Sequence, residues 1–361
     1  MHVRALAADW TVAVPVASIV LLGTSLCLPP HPVLALACAT ALLSVVVAAV
    51  HHAEVVAHRV GEPFGTLVLA LAITVIEVGL VVSMMLAGGA DKATLARDSV
   101  YAAVMLICTG VVGGCVLAGA LRHREQSFRI EGAGPALAAL ITLATIVLIL
   151  PVFTTSAPGP SYSRPQLVFT ALASLALWAV FVFVQTIRHR DYFLPPDAAA
   201  DETAHAEPPT VRQSWASFVL LLVSLVAVVG LAKVLSPAIE AGVDAVGAPP
   251  ATIGVAIAAI VLLPEAWAAV RAALADRMQT SVNLALGSAL ACIGLTIPAV
   301  ALASVVLGQP LVLGLEAKDL VLLALAFLVS TITLASGRTT LMQGAVHLVI
   351  FAAYLFLTLV P

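Results

Sequence analysis

Two glutamates stand in the middle of apolar segments that are long enough to cross a membrane. Glu77 lies in AITVIEVGLVV (72–82), and Glu265 lies in the apolar run 249–273. A charge at the centre of a bilayer costs roughly 2.5 to 3.5 kcal/mol on insertion scales, so an acid there predicts a function. Burial favours the protonated carboxyl group, whereas a bound cation favours the carboxylate. Each glutamate is therefore suited to hold a proton and a cation in turn, which is the chemistry of proton-coupled cation exchange.

Further oxygen donors accompany the two acids. Pro264 directly precedes Glu265, and a proline within a helix frees a backbone carbonyl group. The apolar run that follows carries Ser281 and Asn283 near its start. Hard cations such as Ca²⁺ bind several oxygens from carboxylates, carbonyl groups and water. We therefore predict a cation site formed by Glu77, Glu265, Ser281 and Asn283.

Three other acids are candidates for a gate or an access route. Glu54 and Glu240 each precede a glycine by seven residues and lie near predicted helix ends, where a long side chain reaches water easily. Asp98 stands at the start of another apolar run. A plain interfacial position is the alternative for all three residues.

The composition of the chain indicates that these residues are held by membrane-spanning segments. The chain has 361 residues, of which 62% are hydrophobic and only 10% are charged, whereas soluble domains have about 25% charged residues. Apolar runs of about 17 to 25 residues predict membrane-spanning helices. Eleven such runs occur, at 12–28, 32–50, 64–87, 99–121, 135–153, 166–187, 215–235, 249–273, 281–307, 319–336 and 341–360. We therefore predict an all-α integral membrane protein.

The two glutamates belong to an internal repeat. The segments 53–77 and 239–265 share a Glu, a Gly seven residues later, a Pro two residues after that, and an apolar helix ending in the buried acid. Because each copy has five spans, an odd number, the second copy enters the membrane in the opposite sense, as in many secondary transporters. The predicted organisation is an N-terminal helix (1–30), a first five-helix repeat (31–187), an acidic linker (188–214) and a second five-helix repeat (215–361).

The distribution of basic residues predicts the orientation. The N-terminus and the loops on its side carry eleven Lys and Arg residues, and the opposite side carries five. We therefore expect a plasma-membrane protein with its N-terminus and the linker in the cytoplasm and its C-terminus outside. The lipid bilayer is its expected surrounding, and the net charge of −3 gives no indication of a nucleic-acid partner.

Two polar segments admit more than one interpretation. The segment HHAEVVAH contains His51, His52 and His58, which favours a solvated cluster but is also compatible with a metal or pH-sensing role. The acidic linker lacks the spacing of an EF-hand, so a tether is favoured over a Ca²⁺ sensor. No H-E-x-x-H, G-x-S-x-G or P-loop motif occurs, which argues against an intramembrane enzyme and a resident cofactor.

The sequence resembles the calcium/cation antiporter superfamily, within it the bacterial calcium (sodium)/proton antiporter branch of the ChaA type. The resemblance is carried by GEPFGTL with IEV in the first half, and by PEAWAAVRAALADRMQTSVNLALGSALACIGLTIPAV in the second. It implies export of Ca²⁺ in exchange for H⁺, with Glu77 and Glu265 as paired ligands. The superfamily usually has Asn three residues before each acid, where this chain has Thr74 and Leu262. Na⁺ or K⁺ is therefore the alternative cation, and a passive channel is the alternative mechanism.

Overall fold

A computed structural model describes residues 2–29, 31–61, 64–88, 92–194, 209–245 and 247–361 of the chain. The described residues contain eleven helices long and apolar enough to span a membrane, as predicted. They are α1 His2–Cys27, α2 Pro32–Val60, α3 Phe64–Gly88, α4 Leu95–His123, α5 Ile130–Phe153, α6 Arg164–Arg188, α7 Val211–Ala245, α8 Ala251–Leu274, α9 Met278–Leu307, α10 Ala317–Ala335 and α11 Leu341–Leu359. The fold is one N-terminal helix followed by two inverted-topology repeats of five helices.

Two helices continue ten residues beyond the predicted ends of their apolar runs. The predicted second and seventh spans end at residues 50 and 235, whereas α2 continues to Val60 and α7 continues to Ala245. The prediction ended each span at the first polar residues, but the hydrogen bonds of a helix do not depend on apolar side chains. The extensions carry the matched acids Glu54 and Glu240.

Among the described residues, four helices contain a π-helical turn, in which the backbone N–H groups bond to the carbonyl five residues earlier. These turns are Leu106–Val111 in α4, Thr145–Ile149 in α5, Val184–Arg188 in α6 and Cys292–Thr296 in α9. Two of them lie in matched helices, because α4 and α9 are the third helices of their repeats.

The helices form two compact units that do not coincide with the two repeats. The first unit comprises 1–92 and 206–247 and therefore contains α1, α2, α3 and α7. Within it, α7 packs along α2 and α3, and α1 packs on α2 and α7. Gly230 lets α7 approach Leu22 of α1, since a Cβ atom at this glycine would lie 2.3 Å from the leucine side chain.

The second unit comprises 93–205 and 248–361 and contains the other seven helices. Within it, α8 packs against α4 and α9, α11 packs against α4, and α9 packs against α5 and α6. A two-stranded antiparallel sheet, β1 Gln126–Ser127 and β2 Arg338–Thr339, joins the segments that precede α5 and α11. The helix α6 and its repeat counterpart α11 both begin with a capping box, Ser163 with Gln166 and Thr340 with Gln343.

Candidate functional site

Glu77 is buried near the middle of α3, in the first unit. Its side chain is 4% exposed, and the residue lies about 20 Å from the start of a helix about 37 Å long. The neighbouring Gly79 lets α3 approach α7 closely, because a Cβ atom there would lie 2.5 Å from Val229. Thr74, three residues before Glu77, donates its hydroxyl hydrogen to the carbonyl oxygen of Ala70 at 2.8 Å. The Thr74 hydroxyl group is thus used within its own helix.

Glu265 holds the corresponding depth in α8, in the second unit. It is half-buried and lies about 21 Å from the start of its helix. The helix continues through Pro264, which has no N–H to offer the carbonyl oxygen of Ile260. The proline therefore supplies a freed carbonyl one turn from the acid without breaking the helix. Pro63, the proline of the first repeat segment, lies outside the described residues.

Gly254 on α8 lies at a close helix contact. A Cβ atom built at Gly254 would lie 2.7 Å from the backbone of Asp98 and 2.8 Å from that of Ser99. The α8 helix therefore lies directly on the first turn of α4. Asp98 itself is 8% exposed and accepts hydrogen bonds from Arg97 Nε at 2.8 Å and Thr94 Oγ1 at 2.9 Å.

Arg97 also reaches a second segment of the same unit. Its guanidinium group donates to the carbonyl oxygen of Gly314 at 3.1 Å, in the extended segment before α10. The Arg97–Asp98 pair is thus a buried ion pair that ties the starts of α4 and α10 together. The structure places Asp98 in this pair, and a gate or access role for it stays a prediction.

The matched acids Glu54 and Glu240 have different surroundings within the first unit. Glu54 is exposed, six residues from the end of α2. Glu240 lies 3.2 Å from the ammonium group of Lys92 and accepts a hydrogen bond from Ser236 Oγ at 3.1 Å. Glu54 and Glu240 therefore occupy matched positions in the two repeats but have different contacts. The gate or access role predicted for both residues remains a prediction.

Asn283 and Ser281 belong to a network near the start of α9. The amide nitrogen of Asn283 donates to the carbonyl oxygen of Phe193, and its amide oxygen accepts from Gln279 Nε2 at 3.0 Å. Gln279 Oε1 in turn accepts the backbone N–H of Arg129 at 2.6 Å. Ser281 is buried beside the thiol of Cys115.

The depth of Asn283 also differs from that of Glu265. Glu265 lies nine residues before Leu274, the end of α8, and Asn283 lies five residues after Met278, the start of α9. Since the two antiparallel helices are joined by only 275–277, the difference of four residues corresponds to about 6 Å. Gly287, nine residues after Met278, is level with Glu265. The structure therefore brings Asn283 together with Phe193 and Gln279 at a shallower level than the acid.

The histidine cluster does not form a metal site among the described residues, where no three His, Cys, Asp or Glu side chains gather around a common point. His52 is buried, and its Nε2 lies 2.9 Å from the carbonyl oxygen of Thr11. The His51 ring lies between Trp10 and His52, at centroid distances of 6.0 and 5.5 Å. His58 is exposed. Of the predicted acidic linker, residues 195–208 lie outside the described residues.

A match to a family model over most of the chain identifies its family. The sequence model of a family described as "Sodium/calcium exchanger protein" matches residues 31–187 and 216–360. The chain belongs to this exchanger family. The resemblance to cation antiporters noted in the sequence is thereby confirmed.

Relatives of this exchanger share nearly its whole length. A protein from Sinorhizobium fredii, named as an ionic transporter, y4hA, is 47% identical over 355 residues, covering 98% of this chain and 96% of its own. The sodium-potassium/proton antiporter ChaA of Escherichia coli is 35% identical over 346 residues, covering 94% and 93% of the two chains. A Ca²⁺/H⁺ antiporter of Aphanothece halophytica is 24% identical over 273 residues, covering 70% and 71%. The exchanger is thus related to cation transporters.

Two solved structures share the fold of this exchanger. The H⁺/Ca²⁺ exchanger CAX superposes with a TM-score of 0.74 at 16% identity, covering 96% of this chain and 86% of its own. Native YfkE gives a TM-score of 0.71 at 19% identity, covering 98% and 99% of the two chains. At such identities the likeness establishes the fold, which agrees with the eleven helices described above.

The matched π-helical turns of this exchanger, in α4 and α9, were not predicted from its sequence. Both turns contain Cys-x-Gly, with Cys108 and Gly110 in α4 and with Cys292 and Gly294 in α9. In each case the glycine lies against an aromatic side chain of the last helix of the other repeat, Phe351 for Gly110 and Trp178 for Gly294. The recurring Cys-x-Gly was the available signal. These two π turns lie in α4 and α9, the helices that directly follow those of Glu77 and Glu265 in the chain.

Proposed function

We propose that the protein is a secondary antiporter of the plasma membrane that exchanges a cation for protons by alternating access. Glu77 and Glu265 are the groups that bind the cation and the proton in turn. The observation that carries this proposal is the burial of Glu77 at mid-depth in α3, matched by Glu265 at the same depth of the corresponding helix in the second repeat. A carboxyl group at that depth is stable when protonated or when neutralised by a cation.

The supply of side-chain oxygens near the acids favours Na⁺ or K⁺ as the cation. Ca²⁺ takes six to eight oxygen ligands. In this chain the Thr74 side chain offers a single hydroxyl oxygen, the Leu262 side chain has no polar atom, and the Asn283 amide is engaged with Phe193 and Gln279. The name of the relative at 35% identity, a sodium-potassium/proton antiporter, agrees with this choice.

Ca²⁺ is the second candidate, because carboxylates are among the oxygen ligands that it prefers. Backbone carbonyl groups such as that of Ile260, together with water, would complete its oxygen shell. The more distant relatives named as Ca²⁺/H⁺ antiporters support this alternative.

The experiment is a measurement of proton flux in everted membrane vesicles with an acid interior. Na⁺, K⁺ and Ca²⁺ are added separately to vesicles containing the wild type, Glu77→Gln or Glu265→Gln, and Glu131→Gln at the exposed start of α5 serves as the control. We expect Na⁺ or K⁺ to dissipate the gradient in the wild type and in the control, and neither ion to do so in the other two variants. A response to Ca²⁺ alone would keep the mechanism and change the ion. Wild-type behaviour of both glutamate variants would refute the assignment.

The sidedness is tested in the same membranes. The arginine distribution predicts a cytoplasmic N-terminus and a cytoplasmic linker. Cysteine introduced at Ala199 in the linker should react with a membrane-impermeant reagent in everted vesicles and stay unreactive in intact cells. The reverse labelling pattern would invert the proposed orientation.

A further inference from the structure

The π turn of α4 leaves one carbonyl group without its regular donor. In an α-helix the N–H of Val112 would bond to the carbonyl oxygen of Cys108, four residues earlier. Here this N–H is directed to the carbonyl oxygens of Ile107 and Thr109. The imidazole of His347 in α11 stands opposite the carbonyl group that is passed over, with Nδ1 lying 2.8 Å from the Cys108 oxygen.

The chemistry of this contact determines the protonation of the ring. A carbonyl oxygen only accepts, so Nδ1 of His347 carries the hydrogen and donates it. The other nitrogen, Nε2, lies 3.1 Å from Thr333 Oγ1 of α10, and in the neutral ring it accepts the hydrogen of that hydroxyl group. His347 is fully buried, at 0% exposure, and Thr333 is 1% exposed. One tautomer of one side chain therefore joins α4, α10 and α11.

The corresponding π turn of α9, in the second repeat, is packed in the same way without a histidine. The aromatic residues that face the π-turn glycines are Phe351 in α11 and Trp178 in α6. Four residues, or one turn, before them stand His347 and Ser174 respectively, both at 0% exposure. The position is therefore filled by a small hydroxyl residue in one repeat and by an imidazole in the other. Packing of the π turn alone does not explain the imidazole.

The π turn of α4 forms part of the surface that supports the helix of Glu265. The α8 helix packs against α4 on both sides of the turn, against the turn itself and against α11. Conversion of a π turn to regular α-helix shifts one part of the helix by one residue, about 1.5 Å along and 100° around the axis. Such a shift would change the face of α4 on which α8 lies.

We propose that His347 is a positioning residue for transport, whose Nδ1–H holds the π turn of α4 in register and so fixes the surface beneath the Glu265 helix. The inference rests on the proposed exchange function. It concerns a residue that touches neither cation nor proton in transit, and it assigns the last helix a part in setting cation affinity.

A matched pair of amides tests the proposal. Asparagine at position 347 places its NH₂ group near the Nδ1 position and keeps a donor for the Cys108 carbonyl group. Glutamine reaches the Nε2 position and Thr333 but leaves that carbonyl without the donor. We expect His347→Gln to raise the cation concentration for half-maximal exchange about tenfold, the effect of one unsatisfied buried group. His347→Asn should stay within about twofold of the wild type on the same reasoning.

Two transport results would overturn the proposal. Equal effects of the two amides on cation affinity would show that only the volume of the ring matters. A fall in maximal rate with unchanged half-maximal cation concentration in His347→Gln would indicate a structural role alone. Since both variants carry a neutral amide, a difference between them is not a consequence of burying a new charge.

Hydrogen–deuterium exchange separates this proposal from the proposed function. The amides of 106–113 should exchange faster in His347→Gln than in His347→Asn, because only the former loses the bond to the π turn. This measurement requires no transport. If the wild type moved no cation while this difference was present, the proposed function would fail and the holding of the π turn would stand. Equal exchange in the two variants would refute the holding of the π turn by His347.

Discussion

His52 of α2 donates its Nε2 hydrogen to the carbonyl oxygen of Thr11 in α1, over a distance of 2.9 Å. Pro15 lies four residues after Thr11 inside the same helix and has no N–H, so α1 cannot itself supply the usual donor for this carbonyl group. His52 and Thr11 are both buried, at 3% and 7% exposure respectively. The N-terminal helix α1 is thus attached to α2 by a hydrogen bond. The bond is made to the carbonyl group that Pro15 leaves without its usual donor in α1.

The same relationship recurs at the π turn of α5. The N–H of Leu150 bonds to the carbonyl oxygen of Thr145 and passes over that of Ile146. The hydroxyl group of Tyr162 donates to the Ile146 oxygen at 2.5 Å. In hydrocarbon every backbone polar group must find a partner within the protein. The π turns of α4 and α5 are therefore each accompanied by a specific side chain from a neighbouring segment, His347 and Tyr162 respectively.

Replacement of His52 by leucine should destabilise the first unit by about 1–3 kcal/mol, because the Thr11 carbonyl group loses its donor from α2. The midpoint of thermal unfolding in detergent measures the effect. His52→Gln, whose amide reaches the Nε2 position, should recover most of the loss, and His58→Leu at an exposed position is the control.

A second substitution sharpens the His52 test. Pro15→Ala returns an N–H to α1, which can then bond the Thr11 carbonyl group within the helix. The cost of His52→Leu should therefore be smaller in the Pro15→Ala background than in the wild type. Equal costs in the two backgrounds would mean that His52 stabilises the unit by packing rather than by this hydrogen bond.

Tyr162→Phe should lower stability by about 1–3 kcal/mol, because the Ile146 carbonyl group is left without the phenol donor. Tyr162 lies in the segment between α5 and α6, and burial raises the pKa of its phenol. The protonated phenol is the donor, so its contribution is fully present below a pH of about 10, the ordinary tyrosine value, and is lost as the pH rises through the raised pKa.

The pH dependence gives the Tyr162 test its control. The difference in unfolding midpoint between the wild type and Tyr162→Phe should stay constant from about pH 6 to pH 9, since no titration of the phenol occurs there. Tyr192→Phe, at a side chain that is 40% exposed, should leave the midpoint unchanged. A difference that already disappears in this range would contradict the assigned hydrogen bond.

Asn283→Ala distinguishes an anchoring role from a ligand role for the residue. Asn283 and Gln279 hold the carbonyl groups of Phe193 and Tyr192 at the root of the linker. The variant should therefore speed proteolysis near residues 189–194 and leave the half-maximal cation concentration unchanged. A rise in that concentration comparable to the effect of Glu265→Gln would restore Asn283 to the cation site.

The course of the helices through the membrane could be predicted from the sequence because the length of an apolar run determines whether it spans a bilayer. The position of Glu77 followed for the same reason, since a lone acid in such a run is visible by composition. The π turns could not be predicted in this way, because a shift of one residue in the hydrogen-bond register leaves the apolar pattern of 106–111 almost unchanged. The surroundings of Asn283 depend on Phe193, ninety residues away in the chain, and no local pattern reports that contact.

Gly254 and Gly287 provide a matched pair that tests the packing of the Glu265 helix. A Cβ atom at Gly254 would lie 2.7 Å from the backbone of Asp98, which has no room to move, whereas a Cβ atom at Gly287 meets nothing within 4 Å. Alanine is favoured over glycine in a helix by about 1 kcal/mol, so Gly287→Ala should raise the unfolding midpoint. Gly254→Ala should lower the midpoint despite the same gain in helix propensity, because α8 must move away from α4. If the Gly254 variant were as stable as the Gly287 variant, the direct contact between α8 and the first turn of α4 would be refuted. The shared surface on which the role of His347 depends would then be in doubt as well.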